Sequence, residues 1–276
     1  MPIKTVAVVF TSSDRAKVVL DFAIALASAH GAHLVGLHAE GIDPPPVMSP
    51  FDLPDAAVIA GLYEEAAERS RTIGELFEAE TRRAGVSSAW RAVRGTSAAA
   101  SAGVVEGCRS ADLVLASQPA PGYVGEMDDV LFESGRPVLF IPWIMREAKP
   151  FKRILVAWDG SRESTRAIFD SVSLLRAASE VEIFTIDAQD TDTQSASVVG
   201  ADIAETLARH GLSVTVNNQE SARLPIASVL ENRCADYAAD LLVMGAYSHA
   251  RIRERLFGGV TQQLLESMTV PVLMSR

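Results

Sequence analysis

The sequence predicts an α/β protein of two tandem domains, each a five-stranded parallel sheet with helices on both faces. Two observations support this fold class. Short apolar runs alternate with longer helical patterns along the chain, which is typical of parallel β/α units. The chain also repeats itself, since IKTVAVVFTSSDRA at 3–16 aligns without a gap with FKRILVAWDGSRES at 151–164. A tandem duplication explains both observations.

The alignment continues beyond this first pair of segments. Residues 32–41 match 180–189, 110–117 match 238–245, and 136–142 match 270–276. We therefore predict a first domain at 1–145 and a second at 151–276. The short connection WIMREAKP at 143–150 keeps the two halves adjacent, so their interface should be intramolecular and permanent.

Each half is predicted to alternate five strands with four helices, beginning and ending on a strand. In the first half we expect strands near 4–10, 33–38, 88–93, 112–116 and 137–141, with helices near 13–29, 56–84, 97–109 and 127–134. Five prolines in the segment 41–54 exclude a helix or an inner strand there. We interpret this proline-rich segment as a connecting loop, with a lid or a partner-docking loop as the alternative.

The second half is predicted to repeat this pattern. Its strands are expected near 152–157, 180–186, 212–217, 240–244 and 271–275, with helices near 162–177, 195–210, 222–237 and 259–268. Within the strand near 240–244, residues 241–244 form a continuous apolar run, as expected of a strand buried on both faces.

Composition excludes several classes of function. The 276 residues carry a net charge of −10, which argues against general binding of nucleic acid or anionic membranes. No run of about 18 apolar residues is present, and the N-terminal segment lacks a signal-peptide pattern, so a cytoplasmic location is predicted. Cys108 and Cys234 show no metal-ligand spacing and are interpreted as buried thiols of a reducing compartment.

The stretch ADLLVMGAYSHARIRERLFGGVT at 239–261 is the strongest candidate for a binding site. An apolar strand ends at Gly245, a loop with basic residues follows, and Gly258-Gly259 leads into a predicted helix. Glycines let a phosphate approach the backbone, and the helix start offers free N–H groups and a favourable dipole. The pattern predicts an anion site suited to a nucleotide phosphate.

The spacing of this stretch resembles the nucleotide loop of the universal stress protein superfamily. That pattern is Gly, two residues, Gly, nine residues, Gly, and then Ser or Thr. Gly245 is the first glycine, Ser248 takes the second place, Gly258 is the third, and Gly259 stands at the hydroxyl position. The spacing is kept while two of the four residue identities differ. The chain is identified by this resemblance as a tandem member of the superfamily, with Rossmann-like, adenine nucleotide alpha hydrolase-like domains.

The resemblance implies a stress-response regulatory protein that binds ATP, with Mg²⁺, or another adenine nucleotide in its second half. It assigns the adenosine contact to Asp159 and the adenine pocket to strand ends, and it assigns the phosphates to the loop and the helix start. The residues implied are Ala157, Asp159, Ile186, Met244, Gly245, Ser248, His249, Arg251, Gly258, Gly259, Val260 and Thr261.

Each assignment has a structural alternative. Asp159 also suits an N-cap or turn before the next helix, and Gly258-Gly259 also suits a plain helix entry. A serine at 248 costs roughly 1 kcal/mol relative to glycine if that position needs a positive φ. His249 and Arg251 could neutralise phosphate charge, whereas Arg253 and Arg255 are interpreted as a solvated face.

The first half lacks this set of residues. Thr11 aligns with Asp159, Ser117 aligns with Gly245, and the loop QPAPGYVGEMDD has no Gly-Gly and carries acidic residues near its helix start. We predict no nucleotide in the first half. By the resemblance, the strand at 138–141 should lie beside the strand at 272–275 in an intramolecular pseudo-dimer, and a further homodimer is left open.

Two other functions compete with nucleotide-dependent regulation. The first is a nucleotide-independent module that binds an unknown protein partner. The second is a slow ATPase in which Asp159 or His249 orients water, although no nucleophile with its base and no known catalytic motif is present. No catalytic residue or metal ligand is assigned, and His30, His33 and His38 are interpreted as structural.

Overall fold

The computed structural model describes residues 2–43, 56–120, 126–188, 199–246 and 259–276. In chain order the elements are β1 (Thr5–Val9), α1 (Ser13–His30), β2 (His33–Gly41), α2 (Ala56–Ala84), β3 (Ser88–Gly95), α3 (Ser97–Cys108), β4 (Leu113–Ser117), α4 (Glu126–Glu133), β5 (Val138–Ile141), β6 (Arg153–Ala157), α5 (Arg162–Leu175), β7 (Glu180–Ile186), α6 (Ala201–Arg209), β8 (Val214–Gln219), α7 (Ile226–Tyr237), β9 (Leu241–Gly245), α8 (Gly259–Ser267) and β10 (Val272–Ser275). The predicted alternation of strands and helices is confirmed. The proline-rich segment falls mostly outside the described residues, so neither interpretation of it is tested.

One compact unit of the structure is built from β1 to β4 with α1 to α4. Its strand order is β3-β2-β1-β4, and all three pairings are parallel. β1 and β4 are buried almost throughout, because helices cover both faces of a parallel sheet. This unit has the α/β character that its sequence predicts.

The other compact unit contains β5 to β10 with α5 to α8. Its strand order is β5-β10-β9-β6-β7-β8, in which β5 pairs antiparallel with β10 and the other pairings are parallel. Leu139 faces Leu273 in the antiparallel pair, so the predicted pairing of 138–141 with 272–275 is confirmed. β5 comes from the first half of the sequence but packs with the second. The domain limits at 145 and 151 follow the sequence repeat rather than contacts, and they stay a prediction.

The sequence repeat has a counterpart in the hydrogen bonds of the two halves. Asp112 Oδ2 accepts hydrogen bonds from the N–H groups of Lys4 and Thr5, at 2.7 and 2.9 Å. Asp240 Oδ2 accepts the equivalent pair from Lys152 and Arg153, both at 3.0 Å. In each half a carboxylate before the fourth strand therefore holds the start of the first strand.

The predicted start of α7 at 222 is wrong, because this helix begins at Ile226. Ala222 and Arg223 have φ values of 51° and 70°, and Leu224 N–H donates to Ser221 O in a turn. Leu224 precedes Pro225, and the proline ring disfavours helical backbone in the residue before it. The helix therefore starts only after the proline.

The histidines and cysteines outside the candidate site have structural environments. His38 Nδ1 lies 2.7 Å from Phe10 O, and burial lowers the pKa of His38, opposed by that hydrogen bond. His33 Nδ1 lies 2.8 Å from Ser87 Oγ. Cys108 and Cys234 are both buried, as predicted. Among the described helices, none combines the length and apolar character needed to cross a bilayer.

Candidate functional site

The order of the strands reverses beside β6 in the second compact unit. From β6 the chain moves outward through β7 to β8, and it then returns to the opposite side of β6 to form β9 and β10. In open α/β sheets a crevice forms at such a reversal, outside the carboxyl ends of the strands. β6 and β9 are the strands on either side of this reversal, so the candidate site lies where these two strands end.

Asp159 lies two residues beyond the end of β6. Its Oδ1 accepts a hydrogen bond of 3.0 Å from Ser161 N–H, and Ser161 caps α5 by accepting from Ser164 N–H. Partial desolvation by itself raises the pKa of Asp159, but hydrogen bonds from Ser161 and Ser164 outweigh it and hold that pKa below its ordinary value. The carboxylate is ionised at neutral pH and supports the turn into α5. The structure thus contains the turn that was the alternative interpretation of Asp159.

Gly245 ends β9 directly beneath the first turn of α5. A Cβ atom at this position would lie 2.5 Å from Ser164 N and 2.7 Å from the backbone carbon of Glu163. Any side chain would therefore push α5 away from the sheet. Close helix packing is sufficient to explain this glycine, independently of a ligand.

Three apolar residues lie at or next to the ends of neighbouring strands, at the positions that the resemblance assigns to an adenine pocket. Ala157 ends β6 and Ile186 ends β7, and both are half-buried. Met244 near the end of β9 is buried. β6 pairs with both β7 and β9, so these residues belong to three neighbouring strands. An apolar edge of this kind suits a flat base, although it is also usual for the core of a parallel sheet.

The amino end of α8 is not covered by the part of the chain that the structure describes. Gly259 is exposed, and a Cβ atom there would meet no heavy atom of the described residues within 4 Å. By helix geometry the N–H groups of Gly259 and Val260 have no acceptor within α8. Thr261 is buried, which argues against its hydroxyl replacing the one absent at Gly259. The remaining predicted residues, Ser248, His249, Arg251 and Gly258, lie outside the described residues.

The equivalent edge of the first half carries different chemistry. Thr11 lies two residues beyond β1, where the second half has Asp159. Ser117 ends β4 with a buried hydroxyl, where the second half has Gly245. The two compared strands pair with each other, with Val9 facing Ala116. The absence of a nucleotide from this half stays a prediction.

Gln118 and Trp143 were missed by sequence reasoning, which treated 118–129 only as a degenerate loop. Gln118 is buried and its side chain hydrogen bonds to the carboxyl end of α8. This contact joins residues 147 positions apart, so no local pattern in the sequence indicates it.

Known proteins resemble this chain in sequence. A model of the universal stress protein family matches residues 150–276, the half that holds β6, β9 and α8. This match assigns the second half of the chain to the universal stress protein family. A curated universal stress protein from Synechocystis is 29% identical over 163 residues, covering 57% of this chain and 53% of that protein. The match to that relative therefore spans about half of its length.

Solved structures extend the likeness in fold to both halves of the chain. A universal stress protein from Archaeoglobus fulgidus has a TM-score of 0.72 at 16% identity, covering 99% of this chain and 96% of that one. A putative universal stress protein from Pseudomonas aeruginosa has a TM-score of 0.55 at 16% identity, covering 99% of this chain and 93% of that one. At these identities the likeness concerns the fold alone.

Proposed function

We propose that the second half of this chain binds an adenine nucleotide at the carboxyl edge of β6 and β9, and that the bound nucleotide regulates the protein. The observation that carries the proposal is the reversal of strand order between these two strands, with Asp159 and Gly245 directly at their ends. A regulatory stress-response role fits the universal stress protein family, whose model matches the second half.

The adenosine part of the ligand is assigned to the strand ends. Ala157, Ile186 and Met244 offer an apolar edge for the base. Asp159 is ionised, and a carboxylate has lone pairs to spare beyond the one that Ser161 N–H occupies. It can therefore accept a hydrogen bond from an amine or a hydroxyl of the nucleoside.

The phosphates are assigned to the amino end of α8. The N–H groups of Gly259 and Val260 and the helix dipole favour an anion there, and no heavy atom of the described residues would lie within 4 Å of a Cβ at Gly259. His249 and Arg251 would add positive charge, and Mg²⁺ would accompany ATP. Gly258 belongs to the same loop in the sequence, so a large acidic side chain at 258 should prevent phosphate binding.

One observation favours a second candidate function, the nucleotide-independent interaction module. Gly245 is fully explained by the packing of α5, so the first glycine of the loop pattern does not require a ligand. In that case the protein partner would be recognised without nucleotide. A slow ATPase would release inorganic phosphate from added ATP, and a phosphate assay on the same protein would detect it.

The test starts with identification of the nucleotide that purified protein carries. Freshly purified protein is denatured, and the released nucleotides are identified by chromatography for the wild type, Gly258→Glu and Asp159→Ala. Thr11→Ala is the matched control, because Thr11 occupies the equivalent position in the first half. ATP is then added to each protein, and the melting temperature is measured.

Nucleotide is expected from the wild type and Thr11→Ala but not from Gly258→Glu, with reduced amounts from Asp159→Ala. Added ATP at a hundred times its Kd should stabilise the wild type by about 2.7 kcal/mol. If no protein releases nucleotide and ATP leaves every melting temperature unchanged, the proposal fails and the interaction module is favoured.

A further inference from the structure

Gln118 is buried and lies at the centre of a hydrogen-bond cluster in the second compact unit. Its Nε2 donates to Leu265 O at 2.7 Å and to Glu266 O at 3.2 Å. Its Oε1 accepts from Trp143 N–H at 2.8 Å, and its backbone O accepts from Trp143 Nε1–H at 2.8 Å. The amide can therefore take only one orientation, with its nitrogen toward the two carbonyls and its oxygen toward an N–H group.

The two carbonyls that Gln118 contacts belong to the last turn of α8. Carbonyl groups in the last turn of a helix have no partner within the helix and need an external donor. α8 has no basic residue in its last turn, so Gln118 supplies the donor that a lysine or arginine could otherwise provide. Gln118 is buried, which makes this contact costly to lose.

α8 is short, so a displacement of its carboxyl end also displaces its amino end. It has nine residues, or about 13 Å at 1.5 Å per residue. Leu264 and Leu265 are buried, and a stable carboxyl end fixes where the amino end at Gly259 lies. A shift of the helix at Gln118 would move the N–H groups that face the proposed phosphate position.

We propose that Gln118 is a positioning residue for the phosphate-binding end of α8, an inference that rests on the proposed nucleotide site. Gln118 anchors the carboxyl end of α8 and thereby holds the opposite end in place for the phosphates. The residue belongs to the first half of the sequence, at the start of the loop that has lost its own nucleotide pattern. That loop thus supports the site that the second half retains.

The equivalent position in the second half is Ala246, whose side chain cannot make the contact that Gln118 makes. Gln118 N–H donates to Ile141 O at 2.8 Å, and Ala246 N–H donates to Ser275 O at 2.9 Å, so the two backbones follow the same course. Ala246 has only a methyl group and cannot cap a helix with its side chain. The backbone arrangement is common to both halves, whereas the anchoring side chain is present only in the first.

The test compares ligands with and without phosphates in the full chain. Gln118→Ala removes the donor, and Gln118→Glu keeps the size but turns a carboxylate toward the negative end of the α8 dipole. Thr81→Val is the control, because Thr81 is also buried and donates to a helix carbonyl, Phe77 O at 2.8 Å, but belongs to the other unit. Dissociation constants for ATP and for adenosine are measured together with melting temperatures.

Gln118→Ala is expected to raise the Kd for ATP roughly fivefold to tenfold, with a larger rise for Gln118→Glu, while the Kd for adenosine stays unchanged. Thr81→Val should lower the melting temperature without changing either Kd. Equal changes for ATP and adenosine, or no change for ATP, would overturn the positioning role while leaving the nucleotide site intact. If the wild type binds neither ligand, the proposed function fails and this inference fails with it.

Discussion

Replacing Gly245 by alanine tests whether this glycine is required by the packing of α5. A Cβ atom there would lie 2.5 Å from Ser164 N, whereas ordinary contacts of this kind are 3.4–4 Å. The atoms it would meet are backbone atoms in the first turn of α5, which cannot turn aside as a flexible side chain can. The first turn of α5 must therefore move by about 1 Å, or the end of β9 must bend.

The expected cost of Gly245→Ala follows from this overlap. Overpacking a well-packed contact typically costs 1–3 kcal/mol, and we expect about 2 kcal/mol here. For a protein of this size that corresponds to a fall in melting temperature of roughly 4–8 °C. Urea unfolding should show the same loss of free energy with an unchanged slope, because the native fold is kept.

Gly259→Ala is the matched control for this prediction. It changes the other described glycine of this stretch, and its new methyl group would meet no heavy atom of the described residues within 4 Å. Alanine also favours helix more than glycine does, so the melting temperature should stay equal or rise slightly. A Gly245→Ala protein that melts within 1 °C of the wild type would refute the packing explanation.

Three further predictions concern ionisable groups. Arg233 makes two hydrogen bonds, of 2.7 and 2.5 Å, to buried Glu182, so Arg233→Met should cost about 3 kcal/mol in urea unfolding. The double variant with Glu182→Met should recover much of that loss, and additive losses would contradict a paired role. Desolvation raises the pKa of Asp159, but hydrogen bonds, chiefly from Ser161, lower it by more, so its pKa in the fold lies below the ordinary value. The ionised form therefore stabilises the fold above the ordinary pKa of an aspartate. The melting-temperature difference between the wild type and Asp159→Asn should be constant above about pH 5 and shrink below about pH 4 as Asp159 protonates in the fold; a difference independent of pH contradicts this. Burial raises the pKa of the Cys234 thiol to about 12, so a thiol reagent at pH 8 should label Cys234 only after unfolding, as mass spectrometry of the digested protein would show.

Secondary structure could be predicted from the sequence where a local pattern determines it. The apolar strands and the helices between them follow from periodicity within a few residues of each position, and most of their ends agree with the structure. The start of α7 was predicted wrongly because the positive φ angles of Ala222 and Arg223 are not visible in residue type. Pro225 was the available signal, since it disfavours helix in the residue before it.

The elements at the candidate site could be predicted from the sequence, but the reasons for its residues could not. The end of β9 at Gly245 and the start of α8 at Gly259 follow from local features, and both agree with the structure. The physical reason for Gly245 is the first turn of α5, which is about 80 residues earlier in the chain. The contact of Gln118 with α8 is equally distant, so only the folded structure brings these residues together.

The antiparallel pair of β5 and β10 has a consequence for biosynthesis. Val138 to Ile141 are almost fully buried in the fold, but their partner strand is made only after roughly 130 more residues have been added. At 5–20 residues per second, the ribosome needs about 7–26 s for that length. During this interval a short apolar strand presents an unpaired edge, which is a risk for aggregation. Nascent chains stalled before Val272 should therefore depend on chaperones more than chains that extend past Ser275.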